Sequence, residues 1–430
     1  MRGFKVLVLC LVFLLVASLA VAGEVDVLTK KLVEKGILTA EEAKAVLADT
    51  KESVKKQLAD GKLDSVPAWA QNTKWGGDFR LRLESRELVQ AVGGGKHDTR
   101  NRANMRLRYG FEAKVNDEIN AGARLATGTG NQSARTVYFQ DAFSERAVYV
   151  DLMYLDYSPK PVKGLKLIGG KFANPFYATS SLIWGAEINP EGVVAKYTKS
   201  VKPAGYPANI DLFANAGILP LDTLAGGNIS PVLYAMQAGA STNVFDRKLK
   251  AAVAYYWFND LKGAIYGDIS PNSTIMTNSL STTTSTTAKF LYNYRVLSLD
   301  AEYPILNIKY GKQTLPLGIY AGLLKNVAGE VKKDGAWLVG FSLGKAVDPK
   351  TWSFSYDYRR VARDATVDFL NDLTFHGGGT NAKGHKFSLS YIPLKNTTLA
   401  LSYFATEKVQ GLKAAGETRN TLDLDCVVKF

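Results

Sequence analysis

The sequence predicts an all-β fold, a closed antiparallel transmembrane β-barrel of about 16 strands preceded by a short helical hairpin. Three observations support this prediction. Apolar and polar residues alternate with a period of two in many segments, which is typical of strands whose faces meet different environments. After the first residues, no run of eighteen apolar residues offers a membrane-spanning helix. The links between the predicted strands are alternately short and long.

The N-terminus is typical of a secretory signal peptide, which we place at residues 1–22. Arg2 and Lys5 precede an apolar core at residues 6–17, and small residues at 20–22 form a cleavage site. A lasting single-helix anchor is the alternative, but the apolar run is too short for one. The sequence therefore predicts export.

The chain is basic, with a formal net charge of +13 that falls to +11 when Arg2 and Lys5 leave with the signal. Export disfavours a nucleic-acid partner, whereas basic groups that line a channel would favour anions. A basic surface without consequence is the alternative. Loss of Cys10 leaves Cys426 as the one mature cysteine, which excludes an intramolecular disulfide and a cysteine metal cluster. We predict no metal and no cofactor.

Residues 23–66 are predicted to form a periplasmic helical hairpin, separate from the barrel at residues 67–430. Gly36 is placed to end the first helix. Thr39 and Glu42 have the spacing of a capping box that starts the second. Two interpretations stay open: a trimerising or cell-wall-contacting element, and a loosely docked helix pair without a function of its own.

The strand prediction rests on strict alternation, first at residues 79–84, where apolar residues alternate with charged ones. Similar alternation occurs at residues 105–109, 111–115, 248–257, 297–303, 352–359, 387–391 and 421–430. Dividing residues 77–430 among 16 strands leaves about 22 residues for each strand with its link. A soluble β-sandwich is the alternative, but a sandwich has no reason to sort its links by parity.

The predicted links fall into two classes by length. Short links are expected at residues 116–118, 158–164, 242–246, 347–349 and 394–396. Long links are expected at residues 89–101, 128–144, 173–191, 259–289, 360–383 and 406–418. Barrels of the outer membrane have this asymmetry, with short periplasmic turns and long outside loops.

Four segments carry a family resemblance: the helical region 25–60 with its Gly-Ile-Leu-Thr at 36–39, residues 169–176, residues 184–192, and the final Phe430. Together they resemble bacterial outer-membrane porins, in particular the Putative porin family whose mature chains begin with a short helical segment. The resemblance implies a Gram-negative outer-membrane location among lipid, passage of small hydrophilic solutes and a possible homotrimer. It also implies that the barrel assembly machinery recognises Phe430.

A barrel of this size should hold a water-filled lumen, in which pore width and lining charge set selectivity. Basic candidates on the polar strand faces are Arg80, Arg82, Arg106, Arg108, Arg124, Lys248 and Lys250. Residues 173–191 form the third outward loop, which narrows the channel in general porins. Its Glu187 and Glu191 are therefore expected opposite the arginines, where they would create a transverse field.

Two alternatives accompany these candidates. Because the first and last strands of a closed barrel are neighbours, Arg80 and Arg82 could instead form cross-strand ion pairs with Asp423 and Asp425. Aromatic residues on lipid-facing positions would form interfacial girdles. A sugar-stacking path would need aromatics on the polar face, where only Tyr256 and Phe258 were found, too few to predict a sugar channel.

No catalytic residues are predicted. The three histidines, His97, His376 and His385, lack metal-ligand spacing to one another or to carboxylates. We therefore expect a non-enzymatic channel that passes small hydrophilic solutes with a mild preference for anions. The alternative is a surface binding or adhesion protein that is anchored by the barrel and has no open pore.

Overall fold

The computed structural model describes residues 24–59, 72–90, 96–130, 135–222, 230–271, 275–311, 313–409 and 417–430. The chain divides into two compact units, one ending at Asn72 and the other starting at Thr73. The predicted signal peptide lies outside the described residues, and so does the predicted domain boundary near residue 66. In the described part of the chain, no helix is long and apolar enough to cross a membrane.

The N-terminal unit contains helices α1 (Glu24–Glu34) and α2 (Ala40–Ala59). Gly36 has a φ of +67° and follows α1 in a Schellman motif, in which Ile37 N donates to Leu32 O at 3.0 Å. Thr39 N donates to Glu42 Oε2 at 2.8 Å, and Glu42 N donates to Thr39 Oγ1 at 3.2 Å. Both the glycine cap and the capping box that the sequence predicts are confirmed.

The second unit is a closed antiparallel barrel. Its strands are β1 (Thr73–Gln90), β2 (Lys96–Lys114), β3 (Ile119–Thr127), β4 (Val137–Tyr138), β5 (Val148–Tyr157), β6 (Leu165–Lys171), β7 (Glu191–Val201), β8 (Ile210–Pro220), β9 (Val232–Val244), β10 (Arg247–Asn259), β11 (Tyr294–Tyr310), β12 (Gln313–Asn326), β13 (Gly335–Gly344), β14 (Trp352–Val361), β15 (Ala382–Leu394), β16 (Thr397–Lys408) and β17 (Thr418–Lys429). Sixteen of them form the wall, and the two-residue β4 only adds to β2. The predicted fold and strand number are confirmed.

Pairing of β1 with β17 closes the barrel, in a register that runs from Asp78 opposite Lys429 to Val89 opposite Thr418. The C-terminal residue takes part in this closure. Gly77 N donates to Phe430 O at 2.8 Å, and Phe430 N donates to Gly77 O at 3.1 Å. A Cβ atom on Gly77 would lie 2.2 Å from the Arg108 carbonyl oxygen, so only glycine fits this position.

The wall has two different faces, as the alternation predicts. On β1, Leu83 is 48% exposed on the outer face, whereas the neighbouring Glu84 is 6% exposed inside. Exposed aromatic side chains cluster towards the ends of the strands. Trp75, Tyr109 and Phe430 stack near the short links, and Trp257 contacts Tyr234 near the long ones. This arrangement matches the aromatic girdles of membrane barrels.

Short and long links alternate around most of the barrel, which agrees in part with the prediction. One set of links has two to eight residues and includes residues 115–118, 158–164, 202–209, 245–246, 345–351 and 395–396. The alternate set includes four links of 19 to 34 residues, at 128–147, 172–190, 260–293 and 362–381, and an eight-residue link at 327–334. The predicted long link at 89–101 is wrong, because β1 and β2 stay paired up to Gln90 opposite Lys96. Polar residues occupy both faces there, so the period-two apolar signal disappears although the strands continue.

Three long links fold inward and pack against one side of the barrel. They are the β6–β7 loop (residues 172–190), the β10–β11 loop (260–293) and the β14–β15 loop (362–381). Their buried apolar side chains form one cluster with inward-facing wall residues, including Phe172, Phe176, Trp184, Tyr266, Phe290, Phe369, Val194, Leu233, Tyr256 and Phe258. Tyr256 and Phe258, which lie on the inner face as parity predicts, are therefore covered by loop residues and do not line an open path.

Candidate functional site

The first and last strands bring arginines and carboxylates together on the inner face of the wall. Arg82 donates to both oxygens of Asp425, at 2.6 and 2.7 Å, and also lies 2.7 Å from Asp423. Arg80 lies 3.9 Å from Asp425 and 3.7 Å from Glu187. The cross-strand pairs that we held as an alternative are thus present, on side chains that face the lumen.

Glu187 links the β6–β7 loop to this wall. Its carboxylate accepts a hydrogen bond from Arg106 of β2 and lies beside Arg80 of β1. Arg106 also donates to Asp78 at 2.8 Å, and Arg108 donates to the other oxygen of Asp78 at 2.7 Å. The structure therefore brings an acidic loop residue into contact with two arginines of the wall.

Glu191 does not join this arrangement. It is the first residue of β7, and the register of β6 and β7 places it opposite Lys171, with which it forms an ion pair. Its side chain is 64% exposed. The expectation that Glu191 opposes the arginines is therefore wrong, because the loop ends before this residue and strand pairing fixes its partner.

Asp151 of β5 anchors the loop that carries Glu187. Arg124 donates to Asp151 at 2.7 Å, Arg135 donates to its other oxygen, and Asn189 Nδ2 donates to it at 2.8 Å. Arg135 also donates to the backbone carbonyl of Glu187. The sequence analysis missed Arg135 and Asp151, although Asp151 is the one charged residue in the otherwise apolar stretch at 148–155, which is a detectable signal.

The two lysine candidates lie on β10, away from the arginines of β1 and β2. Lys248 pairs with Asp211 of β8 at 3.0 Å near the short link at 245–246, and both side chains are largely exposed. The Lys250 ammonium lies 3.7 Å from the centre of the Tyr177 ring in the β6–β7 loop. The structure therefore separates these lysines from the Glu187 contact.

Farther towards the long links, Arg86 and Arg102 share one carboxylate. Arg102 lies 2.7 Å and Arg86 3.3 Å from Glu84, and Arg102 stacks over the Tyr138 ring of β4 at 4.2 Å. These residues border a cavity of about 520 Å³ that also contacts Arg80, Glu187 and the β14–β15 loop. The cavity lies beside the contact between the loop and the wall.

The charges of this network are arranged in two layers. Its described members are eight arginines and six carboxylates: Arg80, Arg82, Arg86, Arg102, Arg106, Arg108, Arg124 and Arg135 with Asp78, Glu84, Asp151, Glu187, Asp423 and Asp425. Five carboxylates expose at most 12% of their side chains, whereas five arginines expose 17–30%. The exposed charge of this network is therefore mostly guanidinium, and Glu187, 22% exposed, is the most exposed of the six carboxylates.

Two titratable groups of the β14–β15 loop are shifted in opposite directions. Burial raises the pKa of Asp368 to about 6, although Thr277 N and Asn278 N donate to its carboxylate. Burial, together with the nearby Arg419, lowers the pKa of His376 to about 4, although Glu417 opposes that shift. Among the described residues, no group of three histidine, cysteine or acidic side chains could hold a metal ion.

A closed barrel of sixteen wall strands, with charged side chains on its inner face and loops packed against that face, is the architecture of an outer-membrane porin. Residues 94–293 and 276–430 match the model of the family described as Putative porin, which is most of the chain. The chain belongs to this family. Family and fold indicate a channel in the outer membrane rather than an enzyme.

Comparison with solved structures finds similar chains, the first of which agrees with the fold. Pseudomonas putida OprB, in its high-pH structure, is similar over 88% of this chain and 96% of its own, with a TM-score of 0.52 and 12% identity. Salmonella typhi OmpF, solved with daunomycin, is similar over 84% of this chain and 98% of its own, with a TM-score of 0.45 and 12% identity. No curated protein sequence matches the chain.

Proposed function

We propose that this protein allows passive diffusion of small hydrophilic solutes across the outer membrane, with a mild preference for anions. The layered charge of the lumen supports the preference. Exposed guanidinium groups attract anions. The buried carboxylates behind them cancel most of the field, since two positive charges remain in a network of eight arginines and six carboxylates. The preference should therefore be weak.

In this proposal the β6–β7 loop sets the narrowest part of the path. Glu187 would define one side and Arg80 and Arg106 the other, which creates a field across the path. Arg82, Arg108 and Arg124 would contribute to the positive lining on either side of that point. Lys248 and Lys250 would act at the short-link end, where Lys248 is exposed.

The proposal extends to export and assembly. Residues 1–22 would direct export, and the assembly machinery would recognise the C-terminal strand that ends in Phe430. We propose a homotrimer in the outer-membrane lipid. Membership of the porin family supports these assignments, and so does the exposed ring of Phe430 beside Tyr109 on the outer face.

The test is a planar-bilayer recording of the purified mature protein in a KCl gradient. We expect discrete conductance steps and a reversal potential of the sign that chloride permeation gives, with a permeability ratio of a few. A cation-selective reversal potential would refute the anion preference. Absence of conductance would favour the rival function, a barrel-anchored binding or adhesion protein, to which the inward-packed loops give some support.

A further inference from the structure

The cavity of about 520 Å³ beside the Glu187 contact has two chemically different sides. One side is basic and is formed by arginines of β1 and β2. The other side carries the apolar side chains of Phe369 and Leu373 of the β14–β15 loop and of Phe404 of β16, next to the polar side chains of Asp372, Thr374 and Lys386. A solute that fits both sides must carry a negative group and an apolar body.

The basic side holds positive charge that its own carboxylate does not balance. Arg86 and Arg102 both pair with Glu84, whose side chain is only 5% exposed, while their own side chains are 22% and 30% exposed. Two guanidinium groups thus share one buried carboxylate and present N–H donors to the cavity. A planar fork of donors matches the two oxygens of a carboxylate.

A lysine adds to the positive charge near the apolar side. The Lys386 ammonium lies 5.5 Å from the centre of the Phe404 ring and interacts electrostatically with Asp372, whose carboxylate also pairs with Arg359. The acidic residues of the lining are already engaged. Asp372 accepts from Arg359 at 3.1 Å and from Thr374 N at 2.9 Å, and Glu187 is held by Arg106.

The apolar side argues against a purely inorganic anion. Leu373 is partly exposed beside the nearly buried rings of Phe369 and Phe404, so a ligand body placed against Leu373 would remove apolar surface from water. Chloride or phosphate would leave this surface uncovered. A neutral apolar molecule would leave the guanidinium groups without an acceptor.

We propose that this cavity is a binding site for small organic acids, each with one carboxylate and an apolar body about the size of one ring. The carboxylate would contact Arg86 and Arg102, and the ring would lie against Leu373 and Phe404. The proposal deepens the proposed channel function and rests on it, because the site would hold such solutes on their way through the lumen.

The test measures binding of sodium benzoate to the detergent-solubilised protein by calorimetry, and benzoate block of single channels in the same preparation. We expect saturable binding, with acetate and benzyl alcohol binding at least about tenfold more weakly. The R86Q/R102Q variant should raise the benzoate Kd about tenfold or more. L373S should raise it about fourfold, because it removes apolar contact. R247Q, beside the short link at 245–246, is the matched control and should leave the Kd unchanged.

The outcomes separate the two proposals. Channels that conduct but bind benzoate no better than benzyl alcohol, or equally well after R86Q/R102Q, would refute the site and leave the channel intact. Saturable benzoate binding without any conductance would refute the channel and keep the site. The R86K/R102K variant guards against misfolding: near-normal melting with partly restored binding supports the site, and full binding by a folded R86Q/R102Q refutes it.

Discussion

Glu187 differs from the other carboxylates of the arginine network because it comes from a loop, and its side chain is also the most exposed of the six. Replacing it with glutamine removes one negative charge from the contact between the loop and the wall and keeps the size of the side chain. We expect E187Q to raise the chloride-to-potassium permeability ratio about two- to fourfold, since a charge within several ångströms of the path is screened by water.

The measurement is the reversal potential in a KCl gradient. E191Q is the matched control, because Glu191 pairs with Lys171 and lies outside the arginine network. A ratio that is equal in E187Q and the unmodified protein, or changed equally by E191Q, would remove Glu187 from the selectivity argument.

Asp151 should contribute more to the free energy of unfolding than a carboxylate in an exposed ion pair does. Three side chains, those of Arg124, Arg135 and Asn189, donate to this 4% exposed residue. D151N leaves two guanidinium groups with no charged partner there, and loss of a buried partner costs about 3–5 kcal/mol. We expect a clearly lower thermal unfolding midpoint by circular dichroism, while D211N at the exposed Lys248 pair should barely change it. Equal shifts in the two variants would contradict this ranking.

For individual residues, the sequence predicts ion pairs between strands that are neighbours in the barrel, but it does not predict ion pairs that involve long loops. Pairing of Arg82 with Asp425 follows once the first and last strands are known to be neighbours. The contact of Arg135 with Asp151 and with the Glu187 carbonyl depends on the path of two long loops. No local pattern encodes that path, so those partners could not be derived.

Among the elements, the β14–β15 loop contains two titratable groups, Asp368 and His376, that change the pH dependence of stability in opposite directions. The pKa of Asp368 is raised to about 6, so the folded state holds this proton more tightly than the unfolded chain and acidification from pH 6 to 4 adds stability. The pKa of His376 is lowered to about 4, so acidification from pH 6.5 to 4 removes stability. In the unmodified protein the two effects partly cancel.

Variants separate these effects. D368N should lose the stabilising effect, so its free energy of unfolding should fall more steeply from pH 7 to 4.5 than that of the unmodified protein, by up to about 3 kcal/mol. H376Q should show the opposite change, a shallower fall. The measurement is thermal unfolding across that pH range in detergent, and parallel pH profiles for all three proteins would show that neither group is linked to folding.

The elements also show where sequence analysis stops. Alternation predicts the wall strands because one face meets lipid and the other the lumen. Residues such as Phe176 and Trp184 have no such period, and the sequence alone does not say that they turn inward and stack with one another at 5.8 Å. Inward packing is decided by tertiary contacts between loops that are distant in the chain, which no local pattern reveals.

At the scale of the whole molecule, the apolar outer face of the barrel wall determines which solvent the protein needs. Large apolar side chains such as Met153, Val193 and Leu424 are exposed on alternate positions of the wall strands. We expect the purified mature chain to need detergent, and to aggregate when detergent is removed, because this surface would face water. Light scattering during size-exclusion chromatography measures it, and a monodisperse protein in plain buffer would refute the transmembrane wall.

The inward-packed loops also allow the inside of the barrel to change in evolution independently of its wall strands. Buried apolar residues of three loops occupy part of the space inside the wall. The proposed channel should therefore be narrower than sixteen strands alone would make it. Insertions or deletions in these three loops would change the width and the lining of the proposed channel while the wall strands keep their pairing register. In the proposed channel, conductance and solute preference can therefore differ between family members whose barrels have the same strands.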